Sequence, residues 1–244
     1  MRRWALVTDG TGSLGHTYAR LLARCGYNLL LVSDEPARLT VVATEIRHRQ
    51  GVEVRELPVG QGWWTGMGTL LDAVREERNL HVAFLGKDTF ALPRCLSGGG
   101  PILLTASSRR RLIRAALPNL VMNRGALVQT LELPALWTAS GRRLGRLGAA
   151  LLECTTRFDD AAAVRTQWLC VGRDGAGARH PGFLPSSEAA AARSWEQVQS
   201  HGGTCFASMW HAPWFAAAVL LSGKEDAAAT RAGSSGQPGM GSLV

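Results

Sequence analysis

The feature that most constrains this chain is a glycine-rich loop of sequence DGTGSLG at positions 9–15, which lies between a predicted strand and a predicted helix. The apolar segment 4–8 predicts a short buried strand, and residues 16–25 carry apolar side chains at helical spacing. Glycines allow a sharp turn after the strand, and a helix N-terminus offers main-chain N–H groups to a phosphate. The loop therefore predicts a nucleotide-binding βα unit, and the alternative is a tight turn without a ligand.

Strands and helices continue to alternate along the first part of the chain. Apolar runs and helical periodicity predict strands over 28–33, 52–57 and 81–85, with helices over 37–50 and 67–78 between them. Strands that alternate with helices form a parallel sheet with right-handed crossovers. We therefore predict an α/β fold, a Rossmann-type doubly wound parallel sheet in a three-layer αβα arrangement.

The second half of the chain is less regular but continues the same pattern. It predicts helices over 102–120, 138–158 and 186–199, the first ending near Pro118, and strands over 125–131, 164–171 and 204–209. Residues from 223 onward are rich in Ala, Gly and Ser, a composition typical of disorder. We predict a single domain over residues 1–222 and a disordered tail over 223–244.

The candidates for cofactor binding form the glycine loop or end the second strand. They are Thr8, Asp9, Gly10, Thr11, Gly12, Ser13, Leu14 and Gly15 in the loop, with Ser33 and Asp34 at the second strand. Asp34 follows Gly15 by 19 residues, close to the distance at which an acid binds the ribose 2′-OH of NAD. Asp34 and the neighbouring Glu35 would repel a 2′-phosphate, so NAD is favoured over NADP. The alternative is that Asp34 caps a helix beginning at Pro36.

The net charge of +8 is compatible with anionic partners such as nucleotide phosphates, acyl-CoA or a membrane surface. The basic residues occur in short groups, such as 109–111, that are typical of solvated helix faces, and no nucleic-acid module is present. We therefore predict no nucleic-acid partner. The longest apolar run, 215–221, is too short to span a bilayer, so peripheral membrane contact and a buried element stay as alternatives for it.

The cysteine and histidine spacing indicates no metal site. The five cysteines are far apart and form no CxxC pair, and His201 and His211 near Cys205 do not match a metal-ligand pattern. An odd cysteine count and this fold class predict reduced thiols and an intracellular protein. The pattern does not distinguish the cytoplasm, the mitochondrion and the endoplasmic reticulum.

The first 85 residues resemble a known family. The segments WALVT at 4–8, YARLLAR at 18–24 and NLLLVS at 28–33, with the loop between them, resemble the short-chain dehydrogenases/reductases. They are most similar to the branch of 17β-hydroxysteroid dehydrogenases and very-long-chain 3-oxoacyl-CoA reductases, which includes hydroxysteroid dehydrogenase-like proteins considered inactive. The resemblance implies an NAD(P) cofactor and a steroid or acyl-CoA ligand. A gapped similarity continues over 112–171.

Several positions depart from the pattern of that family. Its loop reads Thr-Gly-x-x-x-Gly-x-Gly, and here Asp9 and Ser13 occupy two of the glycine positions. A carboxylate at Asp9 would repel a pyrophosphate unless it turned away. The acid that meets adenine after the third strand falls at Gly60, and 85–88 replaces the Asn-Asn-x-Gly segment after the fourth. These changes predict weakened or lost nucleotide binding.

The residues that would catalyse hydride transfer are also replaced. The resemblance implies a proton-carrying tyrosine where this chain has Trp137, a lysine where it has Gly141 and a serine near Glu132. An indole N–H is only a hydrogen-bond donor and has no titratable proton near neutral pH. The two tyrosines of the chain, Tyr18 and Tyr27, both fall in the first βα unit. We therefore assign no catalytic residue.

These observations predict a catalytically inactive short-chain dehydrogenase-like protein that acts as a binding or scaffold partner, with a homodimer formed by its large helices as one arrangement. The alternative is an NAD(P)-dependent oxidoreductase that reduces a keto group of a steroid or a 3-oxoacyl-CoA with a different proton donor. A third hypothesis is a shortened chain, because that branch usually carries an N-terminal membrane segment.

Overall fold

The computed structural model describes residues 2–59, 64–86, 101–133, 164–172, 186–200 and 203–206. These residues contain seven strands that form one parallel sheet in the order β3-β2-β1-β4-β5-β6-β7. The strands are β1 (Trp4–Val7), β2 (Asn28–Ser33), β3 (Val54–Pro58), β4 (Leu80–Leu85), β5 (Ala126–Leu133), β6 (Arg165–Gly172) and β7 (Gly203–Phe206). The predicted parallel sheet is confirmed.

Five helices of the described residues cover the two faces of the sheet. They are α1 (Ser13–Arg24), α2 (Pro36–Gln50), α3 (Trp64–Glu76), α4 (Pro101–Met122) and α5 (Ser187–Ser200). Helices α1, α2 and α5 bury apolar side chains in one core cluster, and α3 and α4 bury theirs in another on the opposite face. The predicted three-layer αβα arrangement is therefore confirmed.

Strands β1, β2 and β4 each contain a continuous apolar run because both of their faces are covered. In β2, Leu29 and Leu31 join the core under α1, α2 and α5, whereas Leu30 and Val32 join the core under α3 and α4. All four side chains are fully buried. This explains why the sequence shows a continuous apolar run here and not an alternation of apolar and polar residues.

Helix α4 differs from the prediction because it does not end near Pro118. Proline has no N–H to donate to the preceding turn, yet the helix continues to Met122. The buried side chain of Asn119 donates hydrogen bonds to the carbonyls of Val74 and Arg75 at 3.0 and 3.1 Å, which fixes the segment after the proline against the end of α3. A tertiary contact thus offsets the local helix-breaking preference.

Helix α1 also differs from the prediction, because it begins at Ser13 and not at His16. The last residues of the glycine-rich loop therefore form the first turn of the helix. The helix predicted over 138–158 and the tail predicted over 223–244 lie outside the described residues. The single-domain boundary at residue 222 stays a prediction.

The strand order reverses between β1 and β4, because the chain passes from β3 at the edge of the sheet back to β4 beside β1. In open parallel sheets, ligands bind at such a switch point, outside the carboxyl ends of the strands. The glycine loop follows β1 and Gly86 follows β4, so both lie at this point.

Among the described helices, none is both long and apolar enough to cross a bilayer.

Candidate functional site

The main chain of the glycine loop makes a tight turn that is anchored on β2. Asp9 has a φ of 59°, in the left-handed region that is uncommon for residues other than glycine. The N–H of Gly10 donates to the carbonyl of Val32 at 2.8 Å, and the N–H of Gly12 donates to the carbonyl of Asp9 at 3.0 Å. These two bonds fix the loop relative to the sheet before α1 begins.

Two glycines of the loop are needed for close packing. A Cβ on Gly15 would collide with the main-chain carbonyl of Asp9, and a Cβ on Gly10 would lie 2.6 Å from Cδ1 of Leu31. Neither glycine has a positive φ, so the space around the Cβ position and not the backbone conformation requires them. They bring the loop and the start of α1 close to the sheet, as a phosphate-binding βα turn needs.

The N-cap residue of α1 is a glycine, which has no side chain to cap the helix. Gly12 is the N-cap residue, and the first turn of the helix contains no acidic residue. The first N–H groups of a helix have no partner inside the helix, so they can receive an anion. Ser13, which the resemblance places at a family glycine position, directs its hydroxyl to that of Ser187 in α5, 2.7 Å away. The side chain at this position therefore joins α1 to α5.

The hydroxyls of Thr11 and Ser33 bind each other across 2.7 Å in a buried position. The hydroxyl of Ser33 also accepts a hydrogen bond from the N–H of Glu35 at 3.1 Å. Both residues were predicted to contact a nucleotide, and in the structure they connect the loop to the end of β2. This connection fixes the position of the turn that carries Asp34.

Asp34 is exposed immediately after β2, where an acid would meet a ribose. The prediction that it caps α2 is wrong, because the N-cap residue is Glu35 and no side chain caps the helix. Pro36 begins α2, and with the cap position one residue after Asp34, that carboxylate lies outside the helix. The ribose contact stays a prediction.

Glu35 and the neighbouring Arg38 form an ion pair at the entrance to the same region. The Nη1 atom of Arg38 lies 2.7 Å from Oε2 of Glu35, and its Nη2 atom donates to the carbonyl of Thr11 at 3.2 Å. The side chain of Arg38 is 66% exposed and that of Glu35 is 47% exposed. Sequence reasoning identified the acids here but missed this cation, which joins the start of α2 to the glycine loop.

The carboxylate of Asp9 lies between the glycine loop and the end of β4. A Cβ on Gly12 would collide with both of its oxygens. A Cβ on Gly86 would lie 2.5 Å from the Cβ of Asp9 and 3.3 Å from its Oδ2 atom. The space around Asp9 therefore exists because Gly12 and Gly86 have no side chains.

Arg109 is a basic residue of the site that sequence reasoning missed, because 109–111 was interpreted as a solvated face. Its two terminal nitrogens donate to the carbonyl of Thr130 at 3.1 Å and to the carbonyl of Gly86 at 3.2 Å. The guanidinium is half-buried beside the carboxyl ends of β4 and β5. Helical spacing could have identified it, because Arg109 precedes the buried Leu112 and Ile113 by three and four residues and so lies on the same face of α4.

Tyr18 is fully buried, and its ring stacks on that of Phe84 with the centroids 4.1 Å apart. Its hydroxyl forms a short hydrogen bond with the hydroxyl of Ser194, which donates to Oε1 of Gln167 at 2.5 Å. This tyrosine therefore belongs to the core between α1, α5 and the sheet.

Tyr27 directly precedes β2. It therefore lies at the amino-terminal ends of the strands, whereas the glycine loop lies at their carboxyl ends. The guanidinium of Arg3 lies 4.5 Å from the centroid of its ring, and Trp195 contacts the ring edge-on. Active sites of parallel sheets lie at the carboxyl ends of the strands. Trp137 and Gly141, where the resemblance implies the tyrosine and lysine of the family, lie outside the described residues.

His16 lies in the first turn of α1, close to the loop. Burial lowers the pKa of its imidazole, the carboxylate of Glu45 at 3.7 Å opposes this change, and the positive charges of Arg20, Arg38 and Arg49 add to it. The lowered pKa favours the neutral imidazole near neutral pH. His16 therefore adds little positive charge at the start of α1.

Comparison with known proteins gives similarities in sequence and in fold, although no family model matches the chain. The chain is 48% identical over 46 residues to a very-long-chain 3-oxoacyl-CoA reductase of Ajellomyces capsulatus, which covers 19% of this chain and 14% of that protein. It is 26% identical over 160 residues to the reductase of the same name from Podospora anserina, which covers 57% and 46%. The chain thus spans less than half of the length of these relatives.

Solved structures of short-chain dehydrogenases have the same fold. The chain superimposes on a short-chain dehydrogenase from Sphingobium yanoikuyae in complex with NADPH with a TM-score of 0.66 and 15% identity, over 99% of this chain and 98% of that one. It superimposes on an alcohol dehydrogenase from Thermococcus sibiricus complexed with 5-hydroxy-NADP with a TM-score of 0.65 and 20% identity, over 84% and 96%. Sequence and fold together confirm the similarity of this chain to the short-chain dehydrogenase/reductase family, whose Rossmann-type fold it has.

Proposed function

We propose that this chain is a short-chain dehydrogenase-like protein that binds an adenine nucleotide weakly at its glycine loop and does not carry out the tyrosine-dependent hydride transfer of the family. The observation that carries the proposal is the position of its two tyrosines. Tyr18 is buried in the core, and Tyr27 lies at the amino-terminal ends of the strands. Neither can exchange a proton with a ligand at the carboxyl ends of the strands.

The absence of a suitable tyrosine matters because reduction of a ketone needs a proton donor as well as a hydride. A group with a titratable proton must lie within hydrogen-bond reach of the developing alkoxide. Tyr18 already bonds Ser194, and the burial of its ring leaves no path to a substrate. Trp137 stands at the tyrosine position of the family, and its indole cannot transfer a proton near neutral pH.

The loop fits the nucleotide part of the dinucleotide cofactor in two respects. The close approach allowed by Gly10 and Gly15, together with the glycine N-cap of α1, suits a phosphate. The exposed Asp34 after β2 suits the 2′-OH of an adenosine ribose and, together with Glu35, favours NAD over NADP. A bound nicotinamide would supply the hydride donor or acceptor.

The second candidate function is an active NAD(P)-dependent oxidoreductase that acts on the keto group of a steroid or a 3-oxoacyl-CoA. The sequence similarity to proteins named very-long-chain 3-oxoacyl-CoA reductase supports it. It needs a proton donor other than a tyrosine. Self-association of the chain and contact with a membrane surface stay predictions under either function.

Two measurements distinguish these functions. Calorimetric titration of the protein with NADH, NAD⁺, NADPH and NADP⁺ should show weak binding, with lower dissociation constants for NADH and NAD⁺ than for NADPH and NADP⁺. Incubation with NADH or NADPH and a 3-oxoacyl-CoA or a keto steroid should leave the absorbance of the reduced nicotinamide unchanged. Oxidation of the nicotinamide in step with formation of the alcohol would overturn the proposal in favour of the second candidate. The absence of any nucleotide binding would overturn it in favour of a scaffold.

A further inference from the structure

We infer that Asp9 makes the glycine loop select against ligands that carry a pyrophosphate, so that the site favours an adenine nucleoside over a dinucleotide. The inference rests on the proposed nucleotide site and specifies the class of ligand that this site takes. Three features of the described residues carry it: the position of the carboxylate, the conformation of its backbone and the charges around it.

The carboxylate of Asp9 occupies the part of the loop that a pyrophosphate would approach. Both of its oxygens lie against Gly12, the N-cap residue of α1. Its Oδ2 atom also lies 3.3 Å from the position of a Cβ on Gly86, the residue after β4. A negative charge therefore already lies between the helix N-terminus and the end of β4, at the switch point of the sheet.

The backbone of the loop keeps this carboxylate in place. The left-handed φ of Asp9 sets the direction of its Cα–Cβ bond. Two main-chain hydrogen bonds fix the turn, one from Gly10 to Val32 and one from Gly12 to Asp9. The short side chain of an aspartate has only two rotatable bonds. Its charge therefore stays within a few ångströms of the loop whichever rotamer it adopts.

The consequence follows from the charges of the ligand. A helix N-terminus attracts one anion, and here the side chain of Asp9 is a competitor for that position. A pyrophosphate carries two negative charges and is repelled, whereas the nucleoside part has no charge and contacts the loop through Asp34 and the end of β2. The two parts of a dinucleotide should therefore respond differently to the charge at position 9.

Two cations lie near the loop and are already bonded to oxygens. Arg38 pairs with Glu35 and bonds the carbonyl of Thr11, and Arg109 bonds the carbonyl of Gly86. Their positive charges reduce the local negative potential. A comparison of variants therefore measures the net effect of the Asp9 charge in the presence of both arginines.

The test compares the dissociation constants of adenosine and NADH, measured by calorimetry, for the wild-type protein and for Asp9→Asn. Asparagine has the same size as aspartate and also tolerates a positive φ, so the variant changes the charge and keeps the turn. Removal of one negative charge a few ångströms from the pyrophosphate should lower the dissociation constant of NADH and leave that of adenosine nearly unchanged. We therefore expect the dissociation constant of adenosine divided by that of NADH to rise about tenfold or more. Asp9→Gly, which restores the family residue, should raise the ratio in the same direction.

Asp72→Asn is the matched control, because it removes the same charge from an exposed position on α3 that is paired with Arg75. It should leave the ratio unchanged, and thermal unfolding should establish that all variants fold. A ratio that stays the same in Asp9→Asn while adenosine binds would overturn selection by Asp9 and leave the nucleotide site intact. If neither adenosine nor NADH binds to the wild type, Asp9→Asn or Asp9→Gly, the proposed function fails and the inference fails with it.

Discussion

The hydroxyl of Thr8 accepts a hydrogen bond from the main-chain N–H of Gly86 at 2.8 Å, and this bond joins the carboxyl ends of β1 and β4 at the point where the strand order reverses. The N–H of Thr8 donates to the carbonyl of Phe84 at 3.0 Å, so the hydroxyl and the N–H of Thr8 connect the same two strands. Thr8 is fully buried. It therefore holds the ends of the two strands together beside the glycine loop.

Replacement of Thr8 by valine should destabilise the protein, because the buried N–H of Gly86 would lose its acceptor while the volume of the side chain stays the same. An unsatisfied buried donor costs about 1–3 kcal/mol of unfolding free energy. Urea denaturation measures this change, and Thr8→Ser, which keeps the hydroxyl, is the control for polarity. Equal stability of Thr8→Val and the wild type would show that this bond does not hold the strands together.

Gly15→Ala should be strongly destabilising, whereas Gly68→Ala should be neutral or stabilising. A Cβ on Gly15 would collide with the carbonyl of Asp9, and such overpacking costs about 1–3 kcal/mol. A Cβ on Gly68 in α3 would meet no atom within 4 Å, and alanine is favoured over glycine in a helix by about 1 kcal/mol. Thermal or urea unfolding of the two variants gives the comparison. Similar midpoints for both would contradict the close packing of the loop.

Tyr18→Phe should lower stability without changing any reductase activity. The substitution removes the hydroxyl that bonds Ser194 in the core, a loss of about 1 kcal/mol for a typical hydrogen bond. Since Tyr18 is buried, a preparation that reduces a ketone should keep its rate. Urea denaturation measures the first effect and nicotinamide absorbance the second. A loss of turnover beyond the loss of folded protein would identify Tyr18 as a proton donor and contradict the proposed function.

The free energy of unfolding should decrease as the pH falls below about 6.5, partly because of His16. Burial lowers the pKa of this imidazole, so in this range the unfolded chain binds more protons than the folded protein. The contribution of His16 is present above the pKa of the unfolded state and is lost as the pH falls through the folded value. Urea denaturation at about pH 7.5 and about pH 5.5 measures the change.

In His16→Gln the decrease between these two pH values should be smaller than in the wild type, because glutamine does not titrate. The lowered pKa of Glu56, caused first by its hydrogen bond from Thr40, acts in the same direction, but below its usual value of 4.5. Measurements that stay above about pH 5 therefore separate the two groups. Equal slopes for the wild type and His16→Gln would rule out His16 as a contributor.

The sequence predicted much of the fold because hydrophobic periodicity is a local property. Strands β1, β2 and β4 are short apolar runs between turns, and each could be identified without its neighbours. The helix after the glycine loop and the continuation of α4 beyond Pro118 were less predictable. Helix α4 continues beyond Pro118 with hydrogen bonds from Asn119 to α3, which join residues more than 40 positions apart. The local sequence pattern cannot predict such contacts.

The candidate site was predictable in its location but not in its chemistry. The loop after β1 and the acid after β2 followed from spacing alone. The role of Arg109 did not, because its acceptors are the carbonyls of Gly86 and Thr130, which the fold brings together from two different strands. Asp34 was wrongly given a capping role as one alternative, because the helix start at Pro36 does not reveal which preceding residue has the N-cap position.

By itself, the sequence determined that this chain forms a doubly wound parallel sheet and that only two tyrosines are present to act as a proton donor. The first follows from the periodic burial of apolar side chains, and the second from composition, which no arrangement of the chain can change. The tertiary structure decided that the carboxylate of Asp9 lies between Gly12 and Gly86 and that Tyr18 is sealed in the core. These relationships depend on which strands become neighbours, because the crossovers bring together residues that are far apart in the chain.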